Sequence, residues 1–100
     1  MDDKVRTRLV GILEEGSWEI NDRNLVSLIL EADVIYREET DKHRWFTDYF
    51  YVVNVDDMLI GYTNMENHGD EGYDFSNKEF LSHVHEVKPV EVTVTKYKRV

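Results

Sequence analysis

"RWFTDYFYVVNVDDMLIGYTNM", residues 44–65, decides how this chain folds. Over its first twelve residues the pattern alternates. Trp45, Thr47, Tyr49, Tyr51, Val53 and Val55 face one way, and Phe46, Asp48, Phe50, Val52 and Asn54 face the other. Period-two alternation of aromatic and β-branched side chains is the signature of a pleated strand, here expected over 44–55. Asp56-Asp57 reads as a two-residue turn, and "MLIGYTNM" returns as a second strand over 58–65. Since aromatics occur on both faces of the first strand, most are expected in the core, leaving at most one face for contact.

Upstream of the hairpin the period changes. Val5, Leu9, Ile12 and Leu13 recur at the spacing of one helix face, which predicts a helix over 3–15. Asp2 or Asp3 would cap its start, and Gly16 stands where a left-handed stop is expected. A second helix is predicted over 22–37, capped by Asn21 or Asp22, with Leu25, Leu28, Ile29, Ala32 and Tyr36 along one face. Val26, Leu30 and Ile35 widen that stripe. "GSWEI" links the two helices, and "REETDKH" is read as a charged turn into the hairpin.

Downstream, "EFLSHVHEV" and "VEVTVTKYK" both alternate, predicting strands over 80–87 and 90–98 with Pro89 at a strand start or edge. Helices first and strands afterwards imply an α+β domain. Two N-terminal helices would pack on one face of an antiparallel sheet of about four strands. With 100 residues, 41% of them apolar and twelve aromatic, a single domain spanning 1–100 with one core is expected.

The composition narrows the function. No cysteine is present, which removes disulfides, thiolate metal sites and a cysteine nucleophile, and fits a cytoplasmic location. The N-terminus carries charges where a signal peptide needs an apolar run, and no stretch is apolar enough to span a membrane. The formal charge is −9, from 21 acidic and 12 basic residues. Such a field repels phosphate backbones and anionic lipid. The basic groups at Lys4, Arg6 and Arg8 and at Lys96, Lys98 and Arg99 are read as solvated faces. The aromatic strand lacks the interleaved Lys and Arg of a single-strand stacking platform.

Chemistry is sought next in "YTNMENHGDEGYDFSN", residues 62–77. Neither register of an EF-hand loop fits, because position twelve falls on Phe75 or Lys78 instead of a bidentate Glu. In "HVH", His83 and His85 would share one face of a strand and could grip a transition metal if a third ligand joined them. His68, His43 or a loop carboxylate could be that third ligand only if folding brings it near, and no cofactor is expected. There is no nucleophile elbow, phosphate loop, metalloprotease helix or dinucleotide fingerprint. The chain is therefore read as non-enzymatic. A metal-dependent enzyme using His83 and His85, and a structural or homodimerising module with an exposed edge strand, stand as alternatives.

What the chain does display is negative charge. Residues 54–79 hold seven carboxylates against one lysine. A second group, Glu31, Asp33, Glu38, Glu39 and Asp41, follows the second helix. Carboxylates on a rigid scaffold can imitate a row of phosphates and compete for a basic groove. Asp56, Asp57, Glu66, Asp70, Glu71 and Asp74 are the expected partner-binding residues, with Tyr62 and Tyr73 as aromatic anchors.

Small, acidic and free of cysteine, with the carboxylate-rich stretches "NVDD" and "MENHGDEGYDF", the chain resembles accessory proteins encoded by bacteriophages and other mobile elements. Within that group it is similar in style to anti-CRISPR and anti-restriction proteins that mimic DNA. The resemblance implies an inhibitor, acting in a host cytoplasm, that occupies the basic nucleic-acid-binding site of a defence protein.

Overall fold

The computed structural model describes residues 1–67, 76–91 and 95–100. In chain order the elements are α1 (Asp3–Glu15), α2 (Asp22–Glu31), β1 (Asp33–Lys42), β2 (Phe46–Val55), β3 (Met58–Asn67), α3 (Asn77–Ser82) and β4 (His85–Glu86). The strands form one antiparallel sheet in the order β1-β2-β3-β4. The chain is thus an α+β protein built on a four-stranded antiparallel sheet.

The hairpin of β2 and β3 is its centre. Val55 pairs with Met58, so the loop between them is Asp56 and Asp57 alone. Both take left-handed backbone angles, φ 50° and 64°. Two successive residues of that kind make the turn whose twist matches the strands it joins. The Asn54 side chain helps hold it, accepting the Asp57 N–H at 3.1 Å. From this turn the register runs unbroken to Phe46 opposite Asn67. Val53 faces Ile60 and Tyr51 faces Tyr62, so one side of the sheet carries Tyr51, Val53, Val55, Met58, Ile60 and Tyr62.

The apolar stripes of the helices meet these side chains in a single cluster. α1 supplies Val5, Leu9 and Leu13, α2 supplies Leu25, Val26 and Ile29, and α3 supplies Phe80 and Leu81. Leu9, Leu25, Ile29, Ile60, Val5, Val53 and Val84 are essentially inaccessible. The caps follow the expected chemistry: Asp2 accepts from Lys4 N–H and Asn21 from Asn24 N–H. At the end of α1, Trp18 N–H reaches Leu13 O and Ser17 N–H reaches Glu14 O, the two bonds of a Schellman stop.

Four expectations need correction. The left-handed residue of the α1 stop is Ser17, at φ 58°, and Gly16 remains right-handed at φ −82°. Gly16 serves instead to admit the Trp18 ring, since a Cβ there would lie 2.5 Å from Trp18 Cδ1. The second helix ends at Glu31, not near 37, because Asp33–Lys42 pairs with the otherwise open edge of β2. "REETDKH" is accordingly mostly strand, and the turn is confined to residues 43–45.

The third correction concerns 80–87, which divides into α3 and the two-residue β4. Ser76 caps α3 by accepting Glu79 N–H at 3.2 Å, and its hydroxyl meets the Glu79 carboxylate at 3.3 Å. That Ser-x-x-Glu spacing is the capping-box signal, and it outweighs the alternation read across 80–87. Fourth, the expected strand over 90–98 is not seen among the described residues: 90, 91 and 95–98 lie outside regular structure and are exposed, and 92–94 lie outside the described residues.

Among the described residues, three non-glycine residues thus hold backbone angles that cost an L-residue about 1–2 kcal/mol elsewhere. Asp57→Gly and Ser17→Gly are each expected to raise stability by about 0.5–1 kcal/mol, read as a higher urea midpoint at unchanged slope. An unchanged or lower midpoint for Asp57→Gly would contradict the turn geometry.

Candidate functional site

Among the described residues, the expected partner-binding carboxylates Asp56, Asp57 and Glu66 do not form one patch. Asp56 and Asp57 sit at the hairpin turn, and Glu66 lies nine residues further on, near the other end of β3. At strand rise that separation is about 30 Å. Two of the three are also countered by cations. Arg8 Nη1 lies 3.1 Å from Asp56 Oδ2 and donates to Asp56 O at 3.0 Å, and Arg37 Nη2 lies 2.6 Å from Glu66 Oε1. Asp70, Glu71, Asp74 and Tyr73 fall outside the described residues.

Tyr62, expected as an anchor, belongs to the core with 3% exposure. Its ring stacks on Tyr51 at 5.2 Å and meets Phe80 at 5.1 Å. The histidine pair is likewise rearranged. His83 follows the last turn of α3 whereas His85 is in β4, so they do not share one strand face. His85 turns its Nδ1 to within 2.9 Å of His83 O and stacks on Phe50.

Around Glu66 the side chains interlock. Tyr51 donates its hydroxyl to Glu66 Oε1 at 3.2 Å, and the Arg37 guanidinium lies 3.9 Å above the Tyr49 ring. Burial, then the Glu66 charge, pushes the Tyr51 hydroxyl above its ordinary pKa, against the opposing pull of Arg37. Burial, followed by the neighbouring Tyr51, does the same to Tyr62.

A different surface is open. All ten residues of β1 are exposed, and its outer edge has no strand partner among the described residues. The register places Glu38 opposite Phe50 and Asp41 opposite Asp48, on the side of the sheet away from Val53 and Ile60. Tyr36, opposite Val52, joins them there and donates its hydroxyl to Glu38 at 3.1 Å. Glu39, opposite Tyr49, points to the other side. Irregularities at Ile35 and Thr40 shift the register twice, bending this edge.

At the far end of the β1–β2 hairpin, His43 Nε2 lies 3.2 Å from Asp41 Oδ2 and 3.1 Å from Asp48 Oδ2. This cluster is absent from the sequence-derived site. Once 37–43 is read as a turn, nothing tells that Asp41 and Asp48 face each other across a ladder. The available signal was the pair of β-branched residues, Val34 and Ile35, followed by Tyr36, better suited to a strand than to a helix end.

No protein-family model, curated protein or solved structure matches this chain. Among the described residues no helix is long and apolar enough to cross a membrane.

The tyrosine cluster makes a pH prediction. Tyr51 and Tyr62 have raised pKa values when folded, so the folded state keeps their protons longer than the unfolded chain. Their contribution is complete below about pH 10 and declines as pH rises through the folded values. Unfolding free energy is therefore expected to drop above about pH 10, and less steeply in a Tyr51→Phe/Tyr62→Phe variant. An identical slope in that variant would rule the cluster out as the cause.

Proposed function

We propose that this chain is a non-enzymatic interaction protein that offers the exposed, carboxylate-bearing strand β1 to a basic partner. One observation carries this: β1 holds Asp33, Glu38, Glu39 and Asp41 on ten exposed residues, against only Arg37 and Lys42. Arg37 is moreover engaged with Glu66. The helices, over the side that carries Val53 and Ile60, act as the support that holds this edge in place.

The partner is expected to be a protein with a basic groove, of the sort that binds nucleic acid. An inhibitor of a host defence protein, encoded by a phage and acting in the host cytoplasm, fits that requirement. Tyr36 at 50% exposure and the half-buried Phe50 provide apolar contact beside the charges. Aromatic anchors of this type dominate binding energy, while carboxylates set approach rate and orientation. The turn carboxylates Asp56 and Asp57 lie at the opposite end of the hairpin and play a lesser part.

A homodimer through the same edge is the second reading, favoured by the outer edge of β1, which has no strand partner among the described residues. The two are separated by sedimentation at several protein concentrations.

Glu38→Lys/Glu39→Lys reverses two charges of β1, whereas Asp56→Lys/Asp57→Lys reverses two at the turn. The β1 variant is expected to slow capture of an immobilised basic nuclease at low salt by at least about tenfold, with little change in the turn variant. The difference should shrink at high salt. Equal capture by both variants would remove β1 as the contact surface.

A further inference from the structure

We infer that Asp41, His43 and Asp48 form a binding site for one divalent first-row transition ion. The three side chains present one ligand atom each, all within 4.8 Å of one another. In a complex with bonds near 2.1 Å, neighbouring ligands stand about 3.0 Å apart in octahedral and about 3.4 Å apart in tetrahedral geometry. The separations from His43 Nε2, 3.2 Å and 3.1 Å, fall between these.

The ligand atoms are held in place by bonds outside the set. Asp41 uses its other oxygen, Oδ1, to accept the Lys42 N–H at 2.9 Å, which aims Oδ2 at His43. The His43 ring lies stacked on Phe46 at 4.3 Å, and its backbone N–H donates to Phe46 O at 2.8 Å. Asp48 is fixed by its place in the β2 ladder, opposite Asp41. Thr40 Oγ1 donates to Asp48 O at 3.2 Å.

A charge imbalance also points to a cation. The Asp48 side chain is only 24% exposed, and among the described residues neither it nor Asp41 has a lysine or arginine within ion-pair distance. The nearby Arg44 instead covers the Trp45 ring at 4.7 Å. The two carboxylates thus meet the imidazole with no lysine or arginine between them, and Asp41 and His43, at 65% and 40% exposure, leave the cluster open to solvent. One imidazole nitrogen and two carboxylate oxygens suit Zn²⁺, Mn²⁺, Fe²⁺ or Co²⁺. A thiolate-seeking ion or an all-oxygen Ca²⁺ site would need other ligands. Three protein ligands leave further positions to water.

The test uses the untagged full chain, stripped with EDTA, and titrates Zn²⁺ and Mn²⁺ by calorimetry at pH 7.5. One saturable site is expected. Asp48→Asn and His43→Ala should each weaken it by at least about tenfold, and His83→Ala/His85→Ala should leave it unchanged. Mn²⁺ added to the wild-type protein should broaden amide resonances centred on 41–48, which needs no variant to fold. Absence of saturable binding, loss of binding in His83→Ala/His85→Ala, or broadening centred elsewhere would overturn the assignment. So would a His43 ring resonance that responds to pH but not to Zn²⁺, the behaviour of an imidazolium held by ion pairing alone. Glu38 and Glu39 are not ligands and no partner is present in the titration, so its failure and that of the β1 contact surface are distinguishable.

Discussion

The two-residue turn at Asp56 and Asp57 is the constraint from which the rest of the structure follows. Closing β2 onto β3 with no spare residue sets Val55 against Met58, and every later pair is then determined. A shift of one residue would send Val53, Val55 and Ile60 to the open side and bring Asn54 and Leu59 inward. The core cluster exists because that shift is prevented. Its cost is backbone strain at two aspartates, offset by the Asn54 side chain and by the Arg8 contacts to Asp56.

A second competition shapes the exposed edge of the sheet. Residues 33–37 continue the helical stripe of α2, yet they lie in a strand. A helix running on to residue 37 would satisfy its own backbone but leave the outer edge of β2 unpaired. Pairing β1 there satisfies that edge and exposes a new one, now lined with Glu38, Glu39 and Asp41. The carboxylates therefore stand in extended chain along a sheet margin, where successive side chains alternate between two faces. Had the helix continued, they would have occupied a turn.

Charge in this protein is unevenly resolved. Glu86 receives Lys4 at 2.9 Å and ties β4 to α1, Asp56 is met by Arg8, and Glu66 by Arg37. These are local contacts on an exposed or partly exposed surface, each contributing about 1 kcal/mol or less. β1 keeps four carboxylates against Arg37 and Lys42, and at the end of its hairpin His43 stands between Asp41 and Asp48.

The local sequence was sufficient for α1, for the start of α2 and for the central hairpin. Their signals, a helical stripe with a cap and a period-two run closed by a short turn, act between residues close in the chain. The same kind of signal was present for α3 in Ser76 and Glu79, though alternation through His83 and His85 obscured it. The strand identity of 33–42 and the meeting of Asp41, His43 and Asp48 depended on tertiary structure. So did the burial of Tyr62 and the separation of Asp56 from Glu66. Each rests on which backbone pairs with which, and pairing energy is gained only between segments distant in sequence.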